Sequence, residues 1–227
     1  MRKEVLATNE LYHVYNRGVE KRKVFLDQKD LFRALHSIFE LNNAELVANS
    51  GYHCSNKDIA ESERKPRKLL VEIIAFCLMP NHFHFLLRQL RDNGISLFMQ
   101  KFGTGYAQYF NKKHDRSGTL FEGRFRAIHV TDDEYLLHLS RYIHLNPVEL
   151  AFPGWKEKGI ENTQKLETFL NTYRWSSYLD YIGTKNFPSV TQREFLLGYF
   201  KNPREYKKFV LSWTKQDLSR IADYTLE

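Results

Sequence analysis

The sequence is poor in cysteine, in glycine-rich loops and in long apolar runs. Its 227 residues hold two cysteines, Cys54 in a polar stretch and Cys77 in an apolar one. That supplies neither a disulfide framework nor the paired spacing of a zinc site, and Cys77 is expected to be a reduced core residue. No apolar run approaches the roughly 18 residues of a membrane span. The opening "MRKEVLATNELYH" shows no signal-peptide pattern, so a soluble cytoplasmic protein is expected. A glycine-rich phosphate loop is absent as well, which argues against nucleotide-driven chemistry. Acidic residues are the minority: 27 Asp and Glu stand against 34 Lys and Arg, a net charge of +7. With 15% aromatic residues, that balance suits a polyanionic partner, because basic side chains release counterions from phosphates and rings stack on bases.

What is present begins with "MPNHFHFLL", residues 79–87. In a strand, residues i and i+2 share a face, so His82 and His84 project together while Phe83, Phe85 and Leu87 point the other way. Two imidazoles side by side suit a metal ion; the alternative is a half-buried strand whose histidines face water. The preceding "LLVEIIAFCLM" reads as a strand joined to the histidine strand through Pro80-Asn81, a hairpin. Upstream, "LYHVYNRG" predicts a strand, and "DQKDLFRALHSIFELNN" a helix capped by Asp27. Residues 42–68 are polar and aperiodic, an insertion. Downstream, "ISLFMQKFGTGYAQYFNKKH" predicts a helix burying Phe98, Phe102 and Tyr106, with Gly103 and Gly105 implying close backbone approach. "GTLFEGRFRAIHV" predicts a fourth strand with Arg124 and Arg126 on one face. The order β-α-β-β-α-β implies an α+β, ferredoxin-like or RRM-like antiparallel sheet.

A further helix follows in "TDDEYLLHLSRYIHLNPVEL", with Thr131 as the expected cap and Pro147 at its end. At 100° per residue, Leu136, Leu139 and Ile143 form its core stripe, while Tyr135, His138, Tyr142 and Asn146 lie on a neighbouring one. Residues 1–150 are thus expected as the core domain and 151–227 as a C-terminal helical extension, in which Trp175 and Trp213 are packing residues.

On "MPNHFHFLL", "YFNKKHDRSGTLFEGRFRA" and "YIHLNPVEL", the sequence resembles the REP-associated tyrosine transposases. These are HUH single-tyrosine enzymes of single-stranded DNA. The resemblance implies that His82 and His84 hold Mg²⁺ or Mn²⁺, with Asn146 as third ligand, and that Tyr142 is the nucleophile forming a 5′-phosphotyrosine. It implies a hairpin-forming palindromic repeat as substrate and a monomer, with a dimer as the alternative. Lys112, Lys113, Arg116, Arg124 and Arg126 are the candidates for phosphate contact. Tyr106, Tyr109 and Tyr135 compete as nucleophile, Tyr106 being expected in the core; His13, His129 and His144 are further histidines of open role. Two other classes share parts of this pattern: a non-catalytic RRM-like RNA-binding protein, and the HUH replication initiators and relaxases, which commonly add a histidine or a second catalytic tyrosine.

Overall fold

A computed structural model describes residues 6–45, 67–160 and 162–213. Most of the polar insertion at 42–68, including Cys54, lies outside them. The strands β1 (Leu11–Arg17), β2 (Val71–Met79), β3 (His82–Gln89) and β4 (Arg126–His129) form one four-stranded sheet in the order β2-β3-β1-β4. Every neighbouring pair is antiparallel. With α1 (Gln28–Leu41) and α2 (Gly94–Lys113) between them, this is the expected split β-α-β topology. Asp27 caps α1 by accepting from the Asp30 N–H at 2.9 Å, as its position before the apolar period implied.

The alternation along β1 and β3 sorts the side chains onto two faces. Tyr12, Val14, Phe83, Phe85 and Leu87 pack with Phe98, Phe102 and Tyr106 of α2 and with Leu35 and Ile38 of α1. A bulge between Ile73 and Ala75 shifts the parity of β2. Ile73 and Phe76 therefore belong to the α1/α2 side, and Ile74, Ala75 and Cys77 to the other, because one inserted residue inverts the alternation beyond it. Cys77 is a free, buried thiol.

The second face carries His13, Tyr15, His82 and His84, and it is covered. Helix α3 (Asp133–Leu145) packs across β2 and β3, burying Leu136, Leu139 and Ile143 to 1% exposure or less; each such burial contributes roughly 1.5–3 kcal/mol. The cap is Asp132, accepting from the Tyr135 N–H at 2.8 Å, while Thr131 donates its hydroxyl to Asp132. A carboxylate one residue nearer the helix displaces the expected Thr131 cap. Beyond Pro147 come the short α4 (Val148–Ala151) and α5 (Trp155–Lys158), then α6 (Thr163–Thr172), α7 (Tyr178–Tyr181), α8 (Glu194–Leu197) and α9 (Pro203–Leu211). The expected C-terminal helical extension thus consists of several short helices. Leu166, Leu170, Tyr178, Tyr181, Tyr206 and Val210 share one core with α3 and the sheet.

Two expectations change in detail. The fourth strand is Arg126–His129 alone. Positive φ at Gly118 and Gly123 bends residues 118–125 into a loop that touches the residue after β1 through an isolated bridge, Gly18 to Phe121. Gly105 does permit close approach, since a Cβ there would meet Leu41 at 3.3 Å, but a Cβ on Gly103 would meet nothing within 4 Å. Gly103 instead lines an open cleft of about 1080 Å³ with Arg124 and Phe125.

His144 shows how the extension is tied to α3. Its Nδ1 lies 2.6 Å from the Tyr206 hydroxyl and its Nε2 2.7 Å from Ser177 Oγ. Burial lowers its pKa to about 3. The unfolded chain binds a proton near 6.5 and the folded one only near 3, so this contribution to stability is full above pH 6.5 and is lost as pH falls towards 3. Acidification from pH 7 to 4.5 is expected to cost about 2–3 kcal/mol through His144 alone. Thermal unfolding at the two pH values checks this: the melting temperature falls in wild type and falls less in His144→Gln.

Candidate active site

The sheet register gathers three histidines. Along β3, His82 and His84 project to the α3 side with ring centroids 4.9 Å apart, nearly perpendicular at 85°. From the adjacent β1, His13 brings its Nε2 to 2.9 Å from His84 Nδ1. Tyr15 pairs directly with His84 across the strands, its ring 5.8 Å away. Helix α3 supplies the opposite wall. The Tyr142 ring meets His84 edge-on at 5.5 Å and 83°, and Asn146 Oδ1 stands 3.1 Å from His82 Nε2. The helical spacing of four that placed Tyr142 and Asn146 on one stripe is what delivers both to the same histidine pair.

Burial fixes the charge state of these groups. His82 is held at about 4, chiefly by desolvation and against the Asn146 oxygen, which would accept from the protonated ring, with Lys156 and Arg17 adding to the lowering. Desolvation also takes His13 to about 3 and holds His84 well below the ordinary histidine range, with the fields of His82, His13 and Lys156 contributing. All three imidazoles are therefore neutral at neutral pH, the form that offers a lone pair.

The outer nitrogens of the pair are anchored. Asn81 donates through Nδ2 to the Lys21 carbonyl, which leaves its Oδ1 to accept from His82 Nδ1 at 2.6 Å. His82 Nε2 then carries a lone pair and faces the oxygen of Asn146. His84 Nε2 is buried with no hydrogen-bond partner among the described residues. Two imidazole nitrogens and an amide oxygen thus gather in one buried place with little to donate to them. That set suits a divalent cation of the Mg²⁺ or Mn²⁺ kind. Among the described residues, no group of three His, Cys, Asp or Glu side chains forms a metal cluster. His13 is not a third ligand of this kind, since its Nε2 is taken up by His84 Nδ1; it stands behind His84 as its support.

Residues 56–146 match the family model described as transposase, IS200-like. Over these residues the chain is similar to a family of transposases, enzymes that act on DNA. The match runs through the histidine hairpin, α2, β4 and α3 and ends on Asn146, leaving β1 with His13 outside it. A solved structure of a REP-associated tyrosine transposase bound to a REP hairpin aligns with 85% of this chain and 90% of its own, at 13% identity and a TM-score of 0.48. No curated protein matches the chain.

Within the matched residues the basic side chains divide. Lys113 reaches Asp30 at 2.6 Å and Asp27 at 2.8 Å, and Arg116 donates to Asn111 and the Thr119 carbonyl. Both have internal partners in this structure. Lys112, Arg124 and Arg126 are exposed. Arg126 sits opposite Tyr15 and so shares the histidine face, whereas Arg124 lies outside the strand, in the cleft on the α2 side. The two were expected on one face; the end of β4 at Arg126 separates them.

Four of the other candidate side chains fall elsewhere. The Tyr106 hydroxyl donates to the Val24 carbonyl at 2.6 Å inside the α2 core, and burial raises its pKa. Tyr109 lies by Asp30 and Lys113. His129 pairs with Glu10 at 2.8 Å on the surface, and His144 is bound to Tyr206 and Ser177. Two residues near the site take no assigned part from sequence alone. His13 carries a faint signal, as it alternates with Tyr15 in β1. Lys156, on the four-residue α5, carries no pattern at all, yet its Nζ lies 5.3 Å from the centre of the Tyr142 ring.

Proposed function

We propose that this transposase cleaves and rejoins single-stranded DNA at hairpin-forming repeats, with Tyr142 as nucleophile. The observation that carries the proposal is the edge-on contact of Tyr142 with His84, 5.5 Å between ring centres, in one chain and in the same pocket as Asn146 and His82. His82 Nε2, His84 Nε2 and Asn146 Oδ1 would hold a divalent ion, Mg²⁺ or Mn²⁺. Such an ion supplies Lewis-acid polarisation of a phosphate oxygen when bound. The Tyr142 phenol oxygen attacks phosphorus; its bond to phosphorus forms as the bond to the 3′-oxygen breaks, and the 3′-oxygen takes up the proton that the phenol gives up. A 5′-phosphotyrosine and a free 3′-hydroxyl result. Attack by another 3′-hydroxyl reverses the step and joins the strands without an energy source.

A monomer is the proposed working unit, a reading supported by the meeting of His82, His84, Tyr142 and Asn146 within one chain. Lys112, Arg124 and Arg126 would meet phosphates, in keeping with the net charge of +7. An RRM-like RNA-binding role loses ground here, since that role stacks bases on an open sheet face and this face is covered by α3 and the helices after it. The test is a cleavage assay on oligonucleotides carrying hairpin repeats, with Mn²⁺, Mg²⁺ or chelator. Cleavage is expected with either ion and none with chelator. Hairpin binding without cleavage under any of these conditions would contradict the proposal.

A further inference from the structure

We propose that Lys156 is the phosphate-binding cation of this active site, a catalytic residue beside Tyr142, and this inference rests on the proposed strand cleavage. Three independent features of its placement lead there. Its ammonium lies over the ring of the nucleophile, 5.3 Å from the centroid. The same charge acts on both His82 and His84, so it stands within electrostatic reach of the histidine pair as well as of Tyr142. Its position is built: α5 is anchored by Trp155, 5% exposed and against Trp213, and it is entered through Gly154 at φ 74°.

The ammonium is half-buried, and desolvation draws its pKa down to about 8 against the opposing field of Glu149. Glu149 itself accepts from the Gly154 N–H at 2.8 Å, which fixes the turn that presents Lys156. A partly desolvated cation gains when a phosphate arrives, because the charge-assisted hydrogen bond replaces water it has already lost. Tyr142 is 2% exposed in this state, so entry of a phosphodiester requires the Lys156 side chain to leave the ring face. A non-bridging phosphate oxygen then receives the ammonium. As the phenol oxygen bonds to phosphorus and the 3′-oxygen departs, negative charge concentrates on the non-bridging oxygens. A donor already in place there stabilises the transition state more than the ground state.

A packing role is the competing explanation, in which the aliphatic stem merely covers Tyr142. The experiment separates the two by charge. Single-turnover cleavage of a hairpin oligonucleotide is measured for wild type, Lys156→Gln, Lys156→Met and Lys156→Arg, on a normal phosphodiester and on one with a neutral methylphosphonate at the scissile position. Lys156→Gln and Lys156→Met are expected to slow phosphodiester cleavage by about 10²-fold, as loss of one preorganised donor does, with hairpin affinity and melting temperature near wild type. Lys156→Arg is expected to restore most of the rate. On the methylphosphonate the neutral variants and wild type should converge, since no anionic oxygen remains to be bound. Lys156→Met keeps the stem, so its loss of rate cannot come from lost packing. Wild-type rates in the neutral variants, equal losses in Lys156→Arg and Lys156→Gln, or the same slowing on both substrates would overturn the inference while leaving the cleavage proposal standing. A wild-type protein that cleaves no hairpin oligonucleotide would bring down both.

Discussion

His82→Ala and His84→Ala are each expected to abolish metal-dependent cleavage while hairpin binding persists. Both remove an imidazole whose inward nitrogen has no conventional hydrogen-bond donor. His84 Nε2 is buried without a partner among the described residues, and His82 Nε2 faces the Asn146 oxygen at 3.1 Å. Removing either leaves one nitrogen and an amide oxygen, too few neutral donors to hold a divalent ion. Lewis-acid stabilisation is worth several kcal/mol, so the loss is on the order of 10³-fold or more in rate. Binding should change little, because affinity for DNA comes mainly from phosphate contacts at basic side chains, and these lie outside the pocket. The two variants should differ in stability. His84→Ala strands His13 Nε2, which now bonds His84 Nδ1 at 2.9 Å, and an orphaned buried polar group costs about 1–3 kcal/mol. His82, nearer the edge at 8% exposure, should be the milder substitution. Mn²⁺ binding by calorimetry, cleavage rate and hairpin affinity together check this. Retained Mn²⁺-dependent cleavage in the double variant would remove the metal site.

The other large effect is expected from Tyr142→Phe, which deletes one oxygen and keeps the ring that packs on His84 and His13. The ring contacts, 5.5 Å and 6.2 Å between centroids, survive, so the fold and hairpin binding should be preserved. No nucleophile remains, and both cleavage and the covalent protein–DNA adduct should fall below detection. Tyr106→Phe is the contrasting case. It forfeits the hydroxyl bond to the Val24 carbonyl, which should lower stability by about 1 kcal/mol and leave the chemistry intact.

Much of the site is legible in the sequence because its key spacings lie within single elements. The period of two in β3 pairs His82 with His84, and the spacing of four in α3 pairs Tyr142 with Asn146. Long elements with strong periodicity, such as α1 and α2, are legible for the same reason. What joins elements is not. His13 gains its meaning only when β1 pairs with β3 in a register that sets Tyr15 opposite His84, and no local pattern encodes that. Polarity alone overextends the fourth strand, because "GTLFEGRF" alternates while two of its glycines adopt positive φ. The part that α4, α5, α7 and α8 take in covering the histidine face leaves no local trace, because they are single turns, too short to show a period. Lys156 sits on one of them.

The claim on which all else depends is that Tyr142, and no other tyrosine, attacks DNA. The direct measurement is to trap the protein on an oligonucleotide whose cleaved end diffuses away, digest the complex with protease and nuclease, and locate the nucleotide adduct by mass spectrometry. The adduct is expected on the peptide containing Tyr142, through its phenol oxygen. An adduct on Tyr106, Tyr109 or Tyr135, or cleavage that leaves no covalent intermediate, would contradict the account.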